Sequence, residues 1–511
     1  MAAGILITRL TGLVRQRLFA HYFGLSPDAD AFSAAFRIPN FLQNLFGEGA
    51  LSGSFIPVYA ALVARGDRRL ADRVAGAVAS LLALVVSVLV LVGVLATPLL
   101  IDAIAPGFSG EKRDLTIQLV RILFPGTGML VLSAWCLGVL NSHHRFLLSY
   151  TAPVMLNAAM IVTLLVFGER TALPQLAAIL AWGAVVGSAL QFLVQVPSVF
   201  RVAPDVRPLI DVASAEVRAV VRNFVPVFVS RGVVQLSAYV DTLLASLLGT
   251  GAVAALTNVQ LLYTLPVSLF GMSVSAAELP AMSGEVGVDP GAAEPLRRRL
   301  DAGLRQIAFF VIPSAVAFLA LGDLIAGALF QTGRFTRVDA VYVWGILAGS
   351  AVGLLASTLG RLYSSTYYAL RDTRTPLRYA LVRVTLTTVL GYLFALPVPR
   401  LLGVAPQWGA AGLTASAGIA GWVEMLLLRH TLNARIGRTG LSAEYAGKLW
   451  ASALVGAAVA WAVKLTMPSV GPVVAAVLTL GPYGIVFFAG TWVLRVPEAS
   501  SAWTRIARRL R

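Results

Sequence analysis

Long apolar runs recur from one end of this 511-residue sequence to the other. Three of the clearest cover residues 74–100, 176–199 and 473–494. Each exceeds the roughly 20 residues that carry a helix across a bilayer core. Charged residues make up only 13% of the chain, whereas soluble domains contain about 25%. A backbone in lipid must satisfy its own hydrogen bonds, and the strand alternation of membrane barrels is missing from the sequence. The sequence therefore predicts an all-α, polytopic membrane protein.

We expect about fourteen transmembrane helices from the lengths of these runs. The second, seventh, eighth and tenth are longer than one simple span, so kinks or re-entrant breaks are expected in them. The predicted helices lie near residues 2–24, 27–63, 73–99, 116–141, 147–168, 173–199, 217–248, 252–282, 301–330, 338–369, 376–397, 408–431, 443–466 and 472–496.

The basic residues indicate the side on which each loop lies. Alternate loops and the tail contain most of the arginines, and by the positive-inside rule these loops and both chain termini are cytoplasmic. The formal charge of +16 follows from this asymmetry. Because the charges are dispersed over short loops, they indicate contacts with membrane lipids and not with nucleic acid.

A weak internal repeat suggests two related halves. Pro39 and Pro266 lie in the second and eighth predicted helices, and Pro153 and Pro376 begin the fifth and eleventh. The pattern predicts two pseudo-symmetric six-helix lobes followed by two further helices, a design that recurs among transporters. The expected divisions are an amino-terminal lobe at 1–200, a cytoplasmic linker at 201–216, a carboxy-terminal lobe at 217–432, and the last two helices with a basic tail at 433–511.

The reactive side chains argue against an enzyme. The single cysteine, Cys136, lies inside an apolar run, the histidines lack metal-ligand spacing, and no lysine sits in a phosphate-binding P-loop. A polyprenyl-phosphate glycosyltransferase would need acids on a sizeable extracytoplasmic loop, and the loop near 101–115 is short. We therefore predict no catalytic residue, no metal site and no cofactor.

Polar residues are dense in the first sixty positions. The segment reads Arg9-Leu-Thr-Gly-Leu-Val-Arg15-Gln-Arg17, then Phe23-Gly24-Leu-Ser-Pro-Asp28-Ala-Asp30-Ala-Phe32, then Phe36-Arg37-Ile-Pro39-Asn40-Phe-Leu-Gln43-Asn44-Leu-Phe46-Gly47-Glu48-Gly49-Ala50. It resembles the amino-terminal signature of the bacterial lipid II flippases, the MurJ or MviN family of the multidrug/oligosaccharidyl-lipid/polysaccharide exporter superfamily. Gly333-Arg-Phe-Thr336 and Asp372-Thr-Arg-Thr-Pro376 fit this family more loosely.

The resemblance implies a central cavity that binds the headgroup of lipid II. An arginine near the bilayer centre costs roughly 2.5–3.5 kcal/mol on insertion scales, so it normally faces a watery cavity. Guanidinium groups bind phosphate oxygens in pairs, which suits a pyrophosphate. Arg15 and Arg17 point to nearly opposite faces of a helix, so we assign Arg17 to an interface. The predicted headgroup-binding residues are Arg9, Arg15, Asp30, Arg37, Asn40, Gln43, Asn258 and Gln260.

Other interpretations of these polar residues stay open. Arg9 could reach an interface, and Arg37 could bond carbonyls freed by a kink at Pro39. Asp30 is expected to pair with a cavity arginine. Glu48, at the break in the second helix, is predicted to gate the cavity together with Pro39 or to cap a helix. Ser26-Pro27-Asp28 reads as a helix start, with Asp28 as a first-turn acid.

Two departures from the family pattern make the cavity less positive than the resemblance implies. Gln43 stands where the family often has arginine. No arginine precedes Pro266, where the polar groups are Asn258 and Gln260 instead.

The resemblance also implies an ion site in some family members. Asp241 fits the position of an aspartate that holds sodium, with Thr387 and Thr414 as oxygen donors. The alternative is a structural ion pair of Asp241 with Arg231 or Arg383. The resemblance thus allows for coupling to sodium, and the sequence leaves the identity of the coupling ion open.

The expected function is translocation of lipid II from the inner to the outer leaflet of the bacterial cytoplasmic (inner) membrane, by alternating access, for cell wall synthesis. We expect an inward-open bundle whose last two helices line a groove for the lipid tail. The alternatives are another polyprenyl-linked oligosaccharide of O-antigen or capsule type and, less favoured, a multidrug/cation antiporter. We expect a monomer and leave open contacts with the peptidoglycan synthesis machinery.

Overall fold

The computed structural model describes residues 2–211, 213–288, 293–468 and 470–499, and these residues form helices and no strand. The α-helices are α1 (Ala2–Phe23), α2 (Pro27–Gln43), α3 (Ser52–Arg65), α4 (Arg68–Leu95), α5 (Thr97–Ile104), α6 (Gly110–Ser142), α7 (Phe146–Thr151), α8 (Pro153–Phe167), α9 (Leu173–Leu193), α10 (Val196–Val202), α11 (Ala215–Ser246), α12 (Ala252–Pro266), α13 (Ser273–Val288), α14 (Ala293–Phe330), α15 (Arg337–Ala369), α16 (Arg374–Ala395), α17 (Pro397–Leu401), α18 (Gly409–Ile436), α19 (Ala443–Thr466) and α20 (Pro472–Val493).

Eleven segments of the described chain are long and apolar enough to cross a membrane. Three other long helical runs are α1, α11 and the continuous run from α2 to α3. The first of them carries Arg9, Arg15 and Arg17. Together these segments give fourteen long helical runs within the described residues, and the predicted all-α polytopic class is confirmed.

Two of the four expected breaks are present, and both are π-helical. Asn44–Leu51 joins α2 to α3, and Val267–Met272 joins α12 to α13. A proline lies before each of them, Pro39 inside α2 and Pro266 at the end of α12, and a proline weakens regular helix bonding because it lacks an N–H.

The other two long runs contain no break, because α11 and α15 are unbroken helices of 32 and 33 residues, and the alternative of a kink in them stays a prediction. At 1.5 Å per residue such a helix is about 50 Å long, more than the roughly 30 Å of a bilayer core. These two helices are therefore longer than the bilayer core is thick, and their additional residues continue the helix without a break.

The described chain packs into two compact units. The first holds the residues up to Ala254 together with Thr332–Phe335, and the second holds the rest. Helix α11 thus packs with the first unit, although the repeat places it in the carboxy-terminal lobe. The two units are defined by packing, whereas the lobes at 1–200 and 217–432 were predicted from matched prolines. The lobes therefore stay a prediction.

Close helix contact holds the second unit together. A Cβ atom added to Gly353 of α15 would lie 2.3 Å from the Cα atom of Gly418 in α18. Only a residue without a side chain permits that approach, as is common where membrane helices pack closely.

The predicted cytoplasmic linker lies along α4 in the first unit. The Asp72 carboxylate accepts a hydrogen bond from the Asp205 amide at 3.0 Å, and the Ser80 hydroxyl accepts one from Leu209 at 3.1 Å. Asp211 accepts bonds from two following backbone amides and from the Arg73 side chain. These bonds, first among them the one from the Ser214 amide, lower the pKa of Asp211 below its ordinary value.

Candidate intramembrane substrate site

Arg15 lies on the face of α1 that packs against α8 and α2. Its Nη1 atom is 3.9 Å from the Met160 sulfur, and its guanidinium carbon lies 5.3 Å from the centre of the Phe36 ring. On the same side, the Thr8 hydroxyl donates to the Tyr150 carbonyl at 2.8 Å. An aromatic face stabilises a cation that has left bulk water. Arg15 is therefore a partly buried arginine with an apolar and aromatic surround.

The other two arginines of α1 take different positions. Arg9 is exposed, so neither its predicted role at the headgroup nor its alternative at an interface is decided. Arg17 is partly buried, as Arg15 is. Because two residues advance a helix by about 200°, Arg17 points away from the Arg15 contacts.

Arg37 is held by one turn of α11. Its guanidinium donates to the Thr242 hydroxyl, and Asp241 attracts it electrostatically. The Tyr239 hydroxyl donates to the Arg37 carbonyl at 3.2 Å, and the Tyr239 ring contacts that of Phe41 edge-on at 5.1 Å between centroids. The Arg37 guanidinium thus reaches a neighbouring helix, and its alternative bond to carbonyls freed at Pro39 stays a prediction.

Asp241 attracts Arg37, which was not among its expected partners. Arg383, one of the expected partners, pairs with Glu424 at 3.1 Å inside the second unit. The side chain of Arg231, the other expected partner, lies outside the described residues, so its pairing with Asp241 stays a prediction.

Asp30 is fully buried and forms a different pair from the one expected. Its Oδ2 atom accepts bonds from Lys112 Nζ at 2.6 Å and from the Gly251 amide at 2.7 Å, while Oδ1 accepts from the Ala254 amide at 2.9 Å. The expectation of a cavity arginine was wrong, because the start of α12 presents unpaired amides and a lysine supplies the charge. Lys112 lies 4.0 Å from the Phe108 ring centre.

The remaining polar residues of the signature spread over several environments. Ser26 caps α2 by accepting a bond from the Ala29 amide at 3.1 Å, as the sequence predicted. Pro39 is buried, Asn40 is exposed and Gln43 is partly buried. The side chain of Glu48 lies outside the described residues, so its predicted gating role stays a prediction.

Asn258 and Gln260 do not lie together. Asn258 is buried, whereas Gln260 is exposed and donates to the Thr264 hydroxyl at 3.3 Å. Two residues apart on one helix, they point to different sides, so they do not both line one cavity face.

The predicted ion ligands divide between the two units, with Asp241 in the first and both threonines in the second. The Thr414 hydroxyl donates to the Ile346 carbonyl at 2.8 Å, and Thr387 is partly buried on α16. In the part of the chain that the structure describes, no group of three or more His, Cys, Asp or Glu side chains could hold a metal ion.

The predictions from the sequence did not include several residues of this site. Lys112 was counted as a loop residue, and Tyr239 and Thr242 were not singled out. The sequence does contain a signal for Tyr239 and Thr242, because they stand close to Asp241, an acid inside an apolar run.

In the second unit, Lys464 of α19 pairs with Asp323 of α14 at 2.7 Å beside a cavity of about 350 Å³.

The described chain is a bundle of helices of membrane-spanning length, and charged side chains held between such helices mark functional sites in polytopic membrane proteins, transporters among them. The fold is similar to a solved structure described as lipid II flippase MurJ in an inward closed conformation, with a TM-score of 0.79 and 23% identity over 96% of this chain and 99% of that one. It is also similar to an inward-facing MATE family multidrug transporter of the MOP superfamily, with a TM-score of 0.68 and 19% identity over 84% and 98% of the two chains.

Sequence comparison narrows this class. The model of the lipid II flippase MurJ family matches residues 19–487. The lipid II flippase MurJ of Burkholderia cenocepacia is 33% identical over 431 residues, which cover 83% of this chain and 80% of that protein. The chain belongs to the lipid II flippase MurJ family, and the resemblance of its first sixty residues is confirmed.

Proposed function

We propose that this protein translocates lipid II from the inner to the outer leaflet of the cytoplasmic membrane by alternating access. Membership of the MurJ family supports the substrate, and the likeness to MATE transporters supports the transport mode. The observation that carries the proposal is the pair Arg15 and Arg37, each partly buried between helices of the first unit. Arginines at such depth suit a substrate with a diphosphate.

The chemistry of this transport requires binding and release but no covalent step. Guanidinium forks bind the pyrophosphate oxygens by charge-assisted hydrogen bonds, while the lipid tail stays in the membrane. On α20, Val477, Ile485 and Val493 are 65–70% exposed. We propose that the last two helices offer this apolar surface to the polyprenyl chain, as part of a monomer with both termini in the cytoplasm.

Sodium coupling is a conditional part of the proposal. Asp241 offers the hard oxygen atoms that sodium prefers, but it already attracts the guanidinium of Arg37. Because this guanidinium already neutralises the Asp241 carboxylate in part, the carboxylate attracts a second cation less strongly. Asp241 therefore fits sodium only in a state in which Arg37 has moved away from it.

The test is rescue of a bacterium depleted of its own lipid II flippase, combined with a direct assay of lipid II reaching the outer leaflet. The chain should restore growth and outer-leaflet lipid II. A control strain receives the Arg15→Ala, Arg37→Ala double variant at equal membrane abundance and should not recover. Membrane insertion without any rise in outer-leaflet lipid II would contradict the proposal.

A second candidate substrate is a different polyprenyl-pyrophosphate oligosaccharide of O-antigen or capsule type. Both candidates carry a pyrophosphate, so the number of arginines does not distinguish them. Gln43, which stands where the family often has arginine, favours the second candidate, because an amide side chain bonds sugar hydroxyls. Rescue of a strain lacking its O-antigen flippase, with no rescue of the lipid II strain, would support this candidate over lipid II.

A further inference from the structure

Arg37 combines two properties that conflict. It is a proposed ligand of the substrate pyrophosphate, yet its guanidinium is already engaged by α11. Thr242 accepts a hydrogen bond from it, and Asp241 supplies an opposite charge. Arg37 can donate all of its guanidinium N–H groups to a phosphate only after it has left Thr242 and Asp241.

The contacts around Arg37 define where the engagement is made. Tyr239 donates to the Arg37 carbonyl and packs edge-on against Phe41, so a single turn of α11 rests on α2. This part of α2 includes the buried Pro39 and leads into the π-helical segment Asn44–Leu51. Proline and π-helical turns interrupt regular helix bonding, and they are frequent where a helix bends or changes conformation.

We propose that Arg37 exchanges between Asp241 of α11 and the pyrophosphate of the substrate, so that substrate binding releases α11 from α2. This inference rests on the proposed function, because it takes a pyrophosphate lipid as the ligand. Two anions compete for one guanidinium, and the pyrophosphate carries more charge and more acceptor oxygens than one carboxylate.

The experiment measures affinity of the purified full-length chain in nanodiscs for undecaprenyl pyrophosphate. Asp241→Asn should tighten binding about tenfold, because it removes the competing anion, and coupling free energies commonly correspond to 5- to 150-fold. Thr242→Val should act in the same direction by a smaller factor. Arg37→Gln should weaken binding, and Asp241→Asn should have no further effect in that background.

The matched control is Glu424→Gln, which removes an intramembrane acid that pairs with a different arginine, Arg383. Its affinity should equal that of the wild type. Melting temperatures of all variants establish that each is folded, and Thr242→Val carries the test if Asp241→Asn does not fold.

The outcomes separate the exchange from the proposed function. A wild-type chain that does not bind the pyrophosphate lipid overturns both. A wild type that binds, with an Asp241→Asn affinity that is unchanged or weaker, overturns the exchange alone. Tightening by Asp241→Asn that persists in the Arg37→Gln background also overturns it, because the competition would not run through Arg37.

Discussion

At the scale of single residues, the two arginines held between helices should be required for transport. Loss of a charge-assisted contact with phosphate costs on the order of 1.5–3 kcal/mol, and several such contacts act together. Arg15→Ala and Arg37→Ala should each abolish rescue of the flippase-depleted strain. Arg17→Ala, on the other side of α1, should stay close to the wild type. Growth curves at matched membrane abundance check this, and an essential Arg17 with a dispensable Arg15 would reverse the assignment of the α1 faces.

The buried pair of Asp30 and Lys112 should contribute strongly to stability. Asp30→Asn leaves the lysine without its partner, and removing one member of a buried pair costs about 3–5 kcal/mol. We expect a clear fall in thermal stability that the second substitution Lys112→Met partly restores. Arg113→Gln is the control, because its partner Asp102 is 53% exposed and surface pairs contribute about 1 kcal/mol or less. Additive losses in the double variant would show that Asp30 acts without Lys112.

Sequence patterns located the candidate arginines but not their partners. The opposed faces of Arg15 and Arg17 follow from helix geometry, and the Ser26 cap follows from residue type. The Asp30–Lys112 pair joins residues 82 positions apart. Its lysine was also placed outside a helix, because the prediction began that helix at 116 whereas α6 begins at Gly110. An ion pair between two helices depends on how the helices pack. The periodicity of residues along one helix contains no information about that packing.

At the scale of an element, the turn before α16 should depend on the charge of Asp372. Its carboxylate accepts bonds from the Thr375 hydroxyl at 2.7 Å and from the backbone amides of Arg374 and Thr375. The Thr375 bonds, with Arg435 at 2.8 Å, lower the pKa of Asp372 to about 2. A depressed pKa means that this contribution is complete above the unfolded value near 3.9 and is lost as the pH falls toward 2.

The measurement is the melting temperature of the purified protein and of Asp372→Ala between pH 7 and pH 3. We expect the variant to lose about 1 kcal/mol at pH 7, the usual value of a helix cap, and the difference to shrink as the pH approaches 2. A difference that stays constant over this range would mean that the charge of Asp372 does not contribute.

Helix positions were largely readable from the sequence, and helix breaks were only partly so. The sequence predicts a helix at 443–466, and the structure has Ala443–Thr466. Pro39 and Pro266 precede the two π-helical breaks, whereas α6 and α14 continue unbroken through Pro125 and Pro313, so a proline alone does not predict a break. Length alone was a poor guide, because α15 exceeds one span and yet continues unbroken.

At the scale of the whole molecule, the repeat and the packing give different partitions. The matched prolines predict a duplication of topology, whereas the compact units depend on which helix surfaces pack against each other. Helix α11 packs on α3 and on the Asn44–Leu51 segment, so it belongs with the first unit in spite of its place in the repeat. The segment Thr332–Phe335 joins the first unit through His21, whose carbonyl accepts a bond from the Arg334 amide at 2.8 Å. No composition or periodicity of the flanking helices indicates that contact.

The orientation of the chain in the membrane can be tested by labelling cysteines that are introduced one at a time. The native Cys136 is fully buried, so an engineered cysteine reports almost alone. The positive-inside rule puts Arg334 outside the cell membrane and Arg298 in the cytoplasm, and both are exposed. In spheroplasts, a membrane-impermeant maleimide should label Arg334→Cys at once and Arg298→Cys only after lysis. Both substitutions replace an exposed arginine, so each controls for the reactivity of the other. The reverse order of labelling would place the termini outside, and the arginine-rich loops would then face away from the leaflet in which lipid II is made.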